Sequence, residues 1–149
     1  MRLAKPDELD LVRAITDAAY AQYPSTIGIV PMPVIEDYAP RIAAGQVWLL
    51  DVDGVPAALS VIETHDDHLM IYSLAVRPTF QGRGLGRSLL DHSMNLARAA
   101  GVSEVRLYTN ALMTRNIALY TGYGFHETGR RPHPLRSGWT IVDMACQVA

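Results

Sequence analysis

The spacing of apolar positions changes from one segment of the chain to the next. Over residues 8–20, apolar side chains such as Val12 and Ile15 recur every three to four positions, which predicts an amphipathic helix. Asp7 stands directly before this run, where an N-cap residue belongs. Residues 22–33 then contain three prolines, so we expect an extended connection after the helix.

A second helix and three strands are predicted in the next part of the chain. Residues 34–44 are compatible with a short helix that ends at Gly45. Two β-rich runs follow, at residues 47–52 and 55–64, joined by an Asp-Gly pair typical of a tight hairpin. A second turn leads into a third strand over residues 69–76. We therefore expect three antiparallel strands in succession.

Helices and strands alternate in the last part of the chain. The predicted elements are a helix over 86–100 that ends at Gly101, a strand over 102–109, a helix over 113–123, and closing strands over 126–131 and 139–148. No internal repeat or linker interrupts this order. The pattern predicts an α+β fold: one domain over residues 1–149, with a central, mostly antiparallel mixed sheet and helices on both faces.

Composition and charge exclude several classes of protein. Hydrophobic residues make up 49% of the 149 residues and charged residues 19%, which are globular proportions. The formal net charge of −2 argues against a nucleic-acid partner. No apolar run reaches the roughly 18 residues of a membrane span, and no signal-peptide core is present, so a cytoplasmic location and no membrane partner are expected.

The sequence offers little for a metal site or a disulfide. Cys146 is the only cysteine, which excludes an intrachain disulfide, and its apolar neighbours predict a buried side chain. Residues 65–68 read His-Asp-Asp-His, but four adjacent side chains at a hairpin tip cannot easily point at one ion. We expect a solvated turn there and no metal.

A glycine-dense turn between a strand and a helix is the first motif that carries chemistry. Gly82, Gly84 and Gly86 allow a ligand to approach the backbone, and N–H groups at a helix N-terminus favour anions. Arg83 and Arg87 add positive charge suited to phosphate. The spacing fits neither the Walker A pattern nor the dinucleotide fingerprint. It fits Q-x-x-G-x-G, which predicts a pyrophosphate site.

The second motif lies on the predicted helix over residues 113–123. It reads N-I-A-L-Y-T-G-Y-G-F from Asn116 to Phe125. Asn116 and Tyr120 are four residues apart, so one turn of helix places them on the same face, where they can share a ligand. The alternative interpretation is that Tyr120 is a core residue with a satisfied hydroxyl.

With both motifs, the chain resembles the GNAT superfamily of acyl-CoA-dependent N-acetyltransferases. The resemblance covers nearly the whole chain, is tightest over residues 74–125, and implies the GNAT fold with acetyl-CoA as co-substrate and an amine acceptor. It implies that Tyr120 faces the thioester sulfur and that Asn116 contacts the pantetheine arm. The cofactor-binding residues implied by the resemblance are Leu74, Ala75, Val76, Gln81, Gly82, Arg83, Gly84, Leu85, Gly86, Arg87, Ser88, Asn116 and Tyr120.

The resemblance also implies direct attack of the amine on the thioester, with Tyr120 as the general acid that protonates the leaving thiolate. Many relatives carry a glutamate on the strand that leads into Leu74, whereas the three residues before Leu74 here hold no carboxylate. An amine acceptor is protonated near neutral pH, so a base is required. Glu63 and His65 are candidates, with Ser73 positioning a water.

Two alternatives stay open. The first is a non-catalytic acyl-CoA sensor on the same fold, which the missing carboxylate would allow. The second is a protein whose glycine turn binds ATP or NAD. Tyr20, Tyr23 and residues 24–33 lie where the family shapes its acceptor site, which suggests a small-molecule or peptide amine. The resemblance is compatible with a monomer or a homodimer.

Overall fold

The computed structural model describes residues 1–21, 36–134 and 138–148. The helices in these ranges are α1 (Leu9–Tyr20), α2 (Ala39–Ala43), α3 (Leu85–Ala100) and α4 (Thr114–Tyr123). The strands are β1 (Arg2–Leu3), β2 (Val47–Val52), β3 (Val55–Thr64), β4 (Leu69–Val76), β5 (Glu104–Asn110), β6 (His126–Pro132) and β7 (Thr140–Gln147). Short 3-10 turns at Pro6–Glu8 and Pro78–Phe80 precede α1 and α3.

The seven strands form a mixed sheet in the order β1-β2-β3-β4-β5-β7-β6. Strands β4 and β5 are parallel, as expected when a helix, here α3, connects them. The pairs β1–β2, β2–β3, β5–β7 and β6–β7 are antiparallel. The predicted mixed, mostly antiparallel sheet is confirmed.

The chain divides into two compact units. The first comprises residues 1–63 and 72–92, and its core is made by apolar side chains that the helical and strand periods place on one side of each element. Val12 and Ile15 of α1 and Leu49 and Leu59 of the β2–β3 pair are completely buried. This buried stripe fixes α1 through the hydrophobic effect.

The second unit comprises residues 64–71 and 93–149. Its core includes Val105 and Leu107 of β5 and Met144 of β7, and Leu107 lies opposite Met144 in the antiparallel register. Every residue of β6 is exposed. Because β6 is the last strand of the sheet, its arginines and terminal proline are residues that discourage edge-to-edge pairing.

The predicted element boundaries agree with the structure to within a few residues, with particular exceptions. The N-cap assigned to Asp7 is wrong, because α1 begins at Leu9, after a turn in which Glu8 Oε1 accepts the Lys5 N–H at 2.9 Å. Strand β1 was not predicted. Helix α2 is shorter than the expected 34–44, and the connection over 22–33 lies outside the described residues.

Two local predictions are confirmed. The hairpin between β2 and β3 has positive φ angles of 52° at Asp53 and 78° at Gly54, the conformation that a two-residue Asp-Gly turn adopts. Cys146 is buried, and burial raises the pKa of its thiol, so it is a poor nucleophile at neutral pH.

The structure also bears on membrane and metal sites. None of the helices in the described ranges combines the length and the apolar character needed to cross a bilayer. Nor do the described residues include a group of three or more His, Cys, Asp or Glu side chains arranged to hold a metal ion. In the 65–68 hairpin, the His65 ring stacks on the His68 ring with centroids 4.7 Å apart, and His68 Nδ1 lies 2.6 Å from Asp67 Oδ1.

Candidate functional site

The glycine turn joins the end of β4 to the start of α3. Gly82 and Gly84 have φ angles of +80° and +76°, in the left-handed region that glycine adopts without strain. A Cβ atom at either position would meet nothing within 4 Å. The backbone conformation therefore explains these glycines, and the space above them is open.

The backbone N–H groups of this turn are its main chemical feature. The helical ladder of α3 begins with the Ser88 N–H, which donates to the Gly84 carbonyl at 3.1 Å, and the Ser88 hydroxyl also donates there. Within the part of the chain that the structure describes, the N–H groups of residues 82–86 donate no hydrogen bond. Consecutive unpaired donors at the start of a 16-residue helix form a site for an anion.

Side chains around the turn hold its shape and add charge. The Gln81 side-chain amide donates to the Val76 carbonyl at 3.3 Å, and Arg77 Nε donates to the Pro56 carbonyl at 2.9 Å. These bonds tie the turn to the ends of β3 and β4. Arg83 and Arg87 are exposed, with the Arg83 guanidinium 5.1 Å from the Phe80 ring centroid. Gln81 thus supports the turn, and the two arginines supply its positive charge.

The end of β4 carries the next predicted residues. The parallel ladder with β5 pairs Leu69–Ile71 with Val105–Leu107, although β4 continues to Val76. Residues 74–76, whose backbone groups are predicted to contact the cofactor, form the C-terminal end of β4. The Leu74 carbonyl accepts a hydrogen bond from the Tyr20 hydroxyl at 3.3 Å.

Ser73 is buried beside a buried tyrosine. Its Oγ lacks a well-aligned hydrogen-bond partner among the described residues, and the Tyr38 hydroxyl is the polar group beside it. Burial raises the pKa of Tyr38, Glu36 and Tyr20 raise it further, and the Thr16 and Ser73 hydroxyls oppose the shift. A water positioned by Ser73 would have to be a buried water.

Glu63 belongs to a polar network. Its Oε2 accepts a hydrogen bond from the Gln46 side-chain amide at 2.8 Å, and its Oε1 accepts one from the Tyr72 hydroxyl at 3.3 Å. Arg41 Nη1 donates to the Gln46 amide oxygen, its Nε pairs with Glu36, and its guanidinium lies 4.0 Å from the Tyr72 ring centroid. Both carboxylate oxygens of Glu63 are therefore hydrogen-bonded.

Asn116 and Tyr120 lie on α4, in the second unit. The Asn116 side-chain amide is 3.6 Å from Met113 Sδ, and Tyr120 is 8% exposed with its ring centroid 6.0 Å from that of Phe125. The Tyr120 carbonyl accepts the N–H groups of Gly124 and Phe125, and Gly124 has a φ of +129°. Gly124 therefore ends the helix, and the Phe125 ring packs against the Tyr120 ring.

Most of the predicted site residues lie in the first unit. Glu63 and Ser73 are on β3 and β4, residues 74–76 end β4, residues 81–84 form the turn, and residues 85–88 begin α3.

Sequence reasoning missed the hydrogen bond of Tyr20, a residue it had placed near the acceptor site, and the role of Asn110 altogether. The hydroxyl of Tyr20 reaches a strand carbonyl 54 positions away, for which no local signal exists. Asn110 ends β5, where its Oδ1 accepts the Leu112 N–H at 2.8 Å and its carbonyl accepts the Met113 N–H at 2.9 Å. An asparagine between a strand and a helix is a recognisable turn former, so this role was available from the sequence.

Residues 12–125 match the family model described as the acetyltransferase (GNAT) family. The chain belongs to the GNAT acetyltransferase family. It is 35% identical to the mycothiol acetyltransferase of Beutenbergia cavernae over 122 residues, which cover 75% of this chain and 39% of that protein. It is 37% identical to the [ribosomal protein bS18]-alanine N-acetyltransferase of Salmonella typhimurium over 78 residues, 52% of this chain and 53% of that protein. The matches thus span 39% and 53% of the lengths of these relatives.

Solved GNAT structures share the fold. The ribosomal-protein-S18-alanine N-acetyltransferase from Escherichia coli superposes with a TM-score of 0.75 at 23% identity, covering 98% of this chain and 91% of that chain. A GNAT family acetyltransferase from Elizabethkingia anophelis, crystallised with acetyl-CoA bound, gives a TM-score of 0.68 at 21% identity. This match covers 78% of this chain and 84% of that chain. The predicted GNAT fold is confirmed.

Proposed function

We propose that this chain transfers an acetyl group from acetyl-CoA to a primary amine of a small molecule or peptide. Residues 1–149 act as one domain, and the amine attacks the thioester directly. Family membership and the acetyl-CoA bound to a structural neighbour support the choice of co-substrate. The relative named for an alanine of a ribosomal protein supports a peptide amine as one class of acceptor.

The observation that carries the proposal is the set of unpaired N–H groups at residues 82–86. A pyrophosphate brings several anionic oxygens, which such backbone donors and a helix N-terminus can bind directly. Arg83 and Arg87 lie exposed beside these donors and neutralise charge on the phosphates. In this assignment, Gln81 keeps the turn in its binding conformation through its bond to the Val76 carbonyl.

The reaction places two further demands on the protein. The developing oxyanion needs a donor, which the β4 backbone over residues 74–76 supplies in our proposal. The leaving thiolate needs a proton, which we assign to the hydroxyl of Tyr120, with Asn116 one turn earlier on α4 contacting the pantetheine arm.

Glu63 is our proposed base for the attacking amine. The Tyr72 hydroxyl, bonded to Glu63 Oε1, provides a link through which a proton reaches the carboxylate. Ser73 in this scheme holds a buried water. A Glu63→Gln variant that kept the wild-type pH–rate profile would remove Glu63 from this role.

The experiment is a measurement of acetyl-CoA-dependent thiol release against aminoglycosides, polyamines, free amino acids and short peptides. Release that depends on one class of amine identifies the activity and the acceptor together. Release that stays at the rate of acetyl-CoA hydrolysis with every amine, while CoA still binds, argues against transfer.

A second candidate is a non-catalytic acyl-CoA sensor on the same fold. It is favoured by the hydrogen bonds to both oxygens of Glu63, which leave this carboxylate engaged within the protein. Amine-dependent turnover in the same assay excludes the sensor. A nucleotide-binding role is tested by competition, since ATP or NAD must then displace acetyl-CoA.

A further inference from the structure

The hydroxyl of Tyr20 contacts the strand that the proposed reaction uses. Tyr20 is the last residue of α1 and is 7% exposed, and its hydroxyl donates to the Leu74 carbonyl at 3.3 Å. Leu74 lies near the C-terminal end of β4. The bond joins a helix residue to a strand backbone group directly before Ala75 and Val76.

The Leu74 carbonyl accepts its hydrogen bond from a side chain of a distant helix. Backbone carbonyls inside a protein are nearly always hydrogen-bonded, because an unpaired one has lost its water without compensation. The Tyr20 hydroxyl supplies such a bond and so limits rotation of the Leu74 peptide.

The hydroxyl is presented by a rigid element. Helix α1 is anchored by Val12, Ile15 and Thr16, whose side chains are all buried. Tyr38, also completely buried, lies close enough to Tyr20 for Tyr20 to contribute to its raised pKa. A hydroxyl held on a packed helix fixes its acceptor more closely than one on an exposed loop.

We propose that Tyr20 is a positioning residue for acetyl transfer: its hydroxyl orients the Leu74 peptide and thereby helps to align the Val76 N–H, on the same side of the strand, with the thioester carbonyl. This role rests on the proposed function. Tyr20 itself contacts no reacting atom. The pyrophosphate turn is a separate part of the site, so loss of the hydroxyl affects the transition state more than the binding of acetyl-CoA.

The test is the Tyr20→Phe variant, which removes one oxygen and keeps the ring. We expect kcat to fall about tenfold while the KM for acetyl-CoA changes less than about threefold. Tyr108→Phe is the matched control, because Tyr108 is an exposed tyrosine of β5 outside both motifs, and it keeps the wild-type kcat. Thermal unfolding of both variants reports any general loss of stability.

A second measurement needs no substrate. In the unliganded protein, NMR of labelled wild type and Tyr20→Phe compares the Leu74 carbonyl carbon and the Ala75 amide nitrogen, which report a hydrogen bond to the Leu74 carbonyl. Shifts at these two nuclei together with the drop in kcat support the positioning role. Unchanged kcat in Tyr20→Phe, with transfer by the wild type intact, overturns it and leaves the proposed function standing. A wild type without amine-dependent turnover overturns the proposed function, and the positioning role with it.

Discussion

The chain contains two strand–turn–helix connections, β4 to α3 and β5 to α4, whose turns use hydrogen bonds in opposite ways. In the first, positive φ angles at Gly82 and Gly84 leave the N–H groups of residues 82–86 without an acceptor in the described ranges. In the second, Asn110 accepts two N–H groups, one through its side chain and one through its carbonyl.

The difference shows how residue type decides what a turn can do. Asparagine closes the β5–α4 turn on itself, so its donors are used by the protein and the turn is structural. The glycines of the β4–α3 turn bring donors to the surface without satisfying them, which favours an anionic ligand. In the β5–α4 connection, the proposed chemistry lies within the first two turns of the helix, at Asn116 and Tyr120.

The largest effect is expected for Gly84→Asp. The substitution places a carboxylate beside the proposed phosphates at a φ of +76°, and like charges in contact cost several kcal/mol. We expect CoA affinity to fall by at least about a thousandfold, measured by calorimetry. Gly101→Asp is the matched control, since Gly101 has a φ of +74° and also has nothing within 4 Å. Equal CoA affinities in the two variants would contradict the phosphate assignment.

The next largest effect is expected for Tyr120→Phe. If the proposed chemistry of the β5–α4 connection lies on α4, loss of the Tyr120 hydroxyl lowers the turnover number by about ten- to a thousandfold, because a positioned general acid contributes on that scale. CoA affinity changes little, because the pyrophosphate turn is intact. Steady-state kinetics and calorimetry separate the two quantities, and an unchanged turnover number removes Tyr120 from the mechanism.

A smaller effect is expected for Asn110→Ala. This variant opens the closed turn by removing the side-chain acceptor of the Leu112 N–H, a loss similar to that of a helix cap. We expect the free energy of unfolding to drop by about 1 kcal/mol, with CoA affinity close to that of the wild type. Urea unfolding measures the free energy of unfolding. A loss of CoA affinity without a loss of stability would show that the second turn is also a ligand site.

The smallest effect is a pH dependence of the free energy of unfolding, which arises at His92 on α3, the helix that begins at the glycine turn. The His92 ring centroid lies 4.6 Å from the Trp48 ring centroid, and His92 Nδ1 is buried without a hydrogen-bond partner among the described residues. Burial lowers the pKa of His92, and the positive charge of the N-terminus lowers it further. Below the ordinary histidine pKa, about 6.5, the unfolded chain binds a proton that the folded chain does not. Stability is therefore constant above that pH and falls as the pH drops towards the lower folded pKa.

His92→Phe keeps a ring beside Trp48 and removes the titration. We expect the urea midpoint of the wild type to decrease between about pH 7 and pH 5, and that of His92→Phe to decrease less. His126→Gln, at an exposed position of β6, serves as the control. Parallel pH profiles for wild type and His92→Phe would show that His92 does not account for the pH dependence.

Local chemistry explains what the sequence could predict. The β2–β3 hairpin follows from Asp53 and Gly54, and the strand–turn–helix around Gly84 follows from the glycine spacing and the switch in apolar period. The predicted resemblance to the GNAT superfamily rests on this glycine spacing and on the second motif, from Asn116 to Phe125.

Contacts between distant residues explain most of what was missed. Strand β1 has two residues, too few for a periodic signal, and exists because Arg2 and Leu3 pair with Leu49 and Trp48. The Tyr20–Leu74 bond and the Gln46–Glu63 bond depend on the packing of separate elements. The N-cap assigned to Asp7 failed because Glu8 bonds back to Lys5 and delays the start of α1.

The most direct test of the glycine turn is an NMR titration of the labelled protein with CoA, followed in the glycine region of the amide spectrum. If the unpaired donors bind the pyrophosphate, the amide signals of Gly82, Gly84 and Gly86 shift most, while those of Gly45, Gly54 and Gly101 stay in place. If CoA binds and the signals of the first group do not move, the turn is not the phosphate site and the account of this connection is wrong.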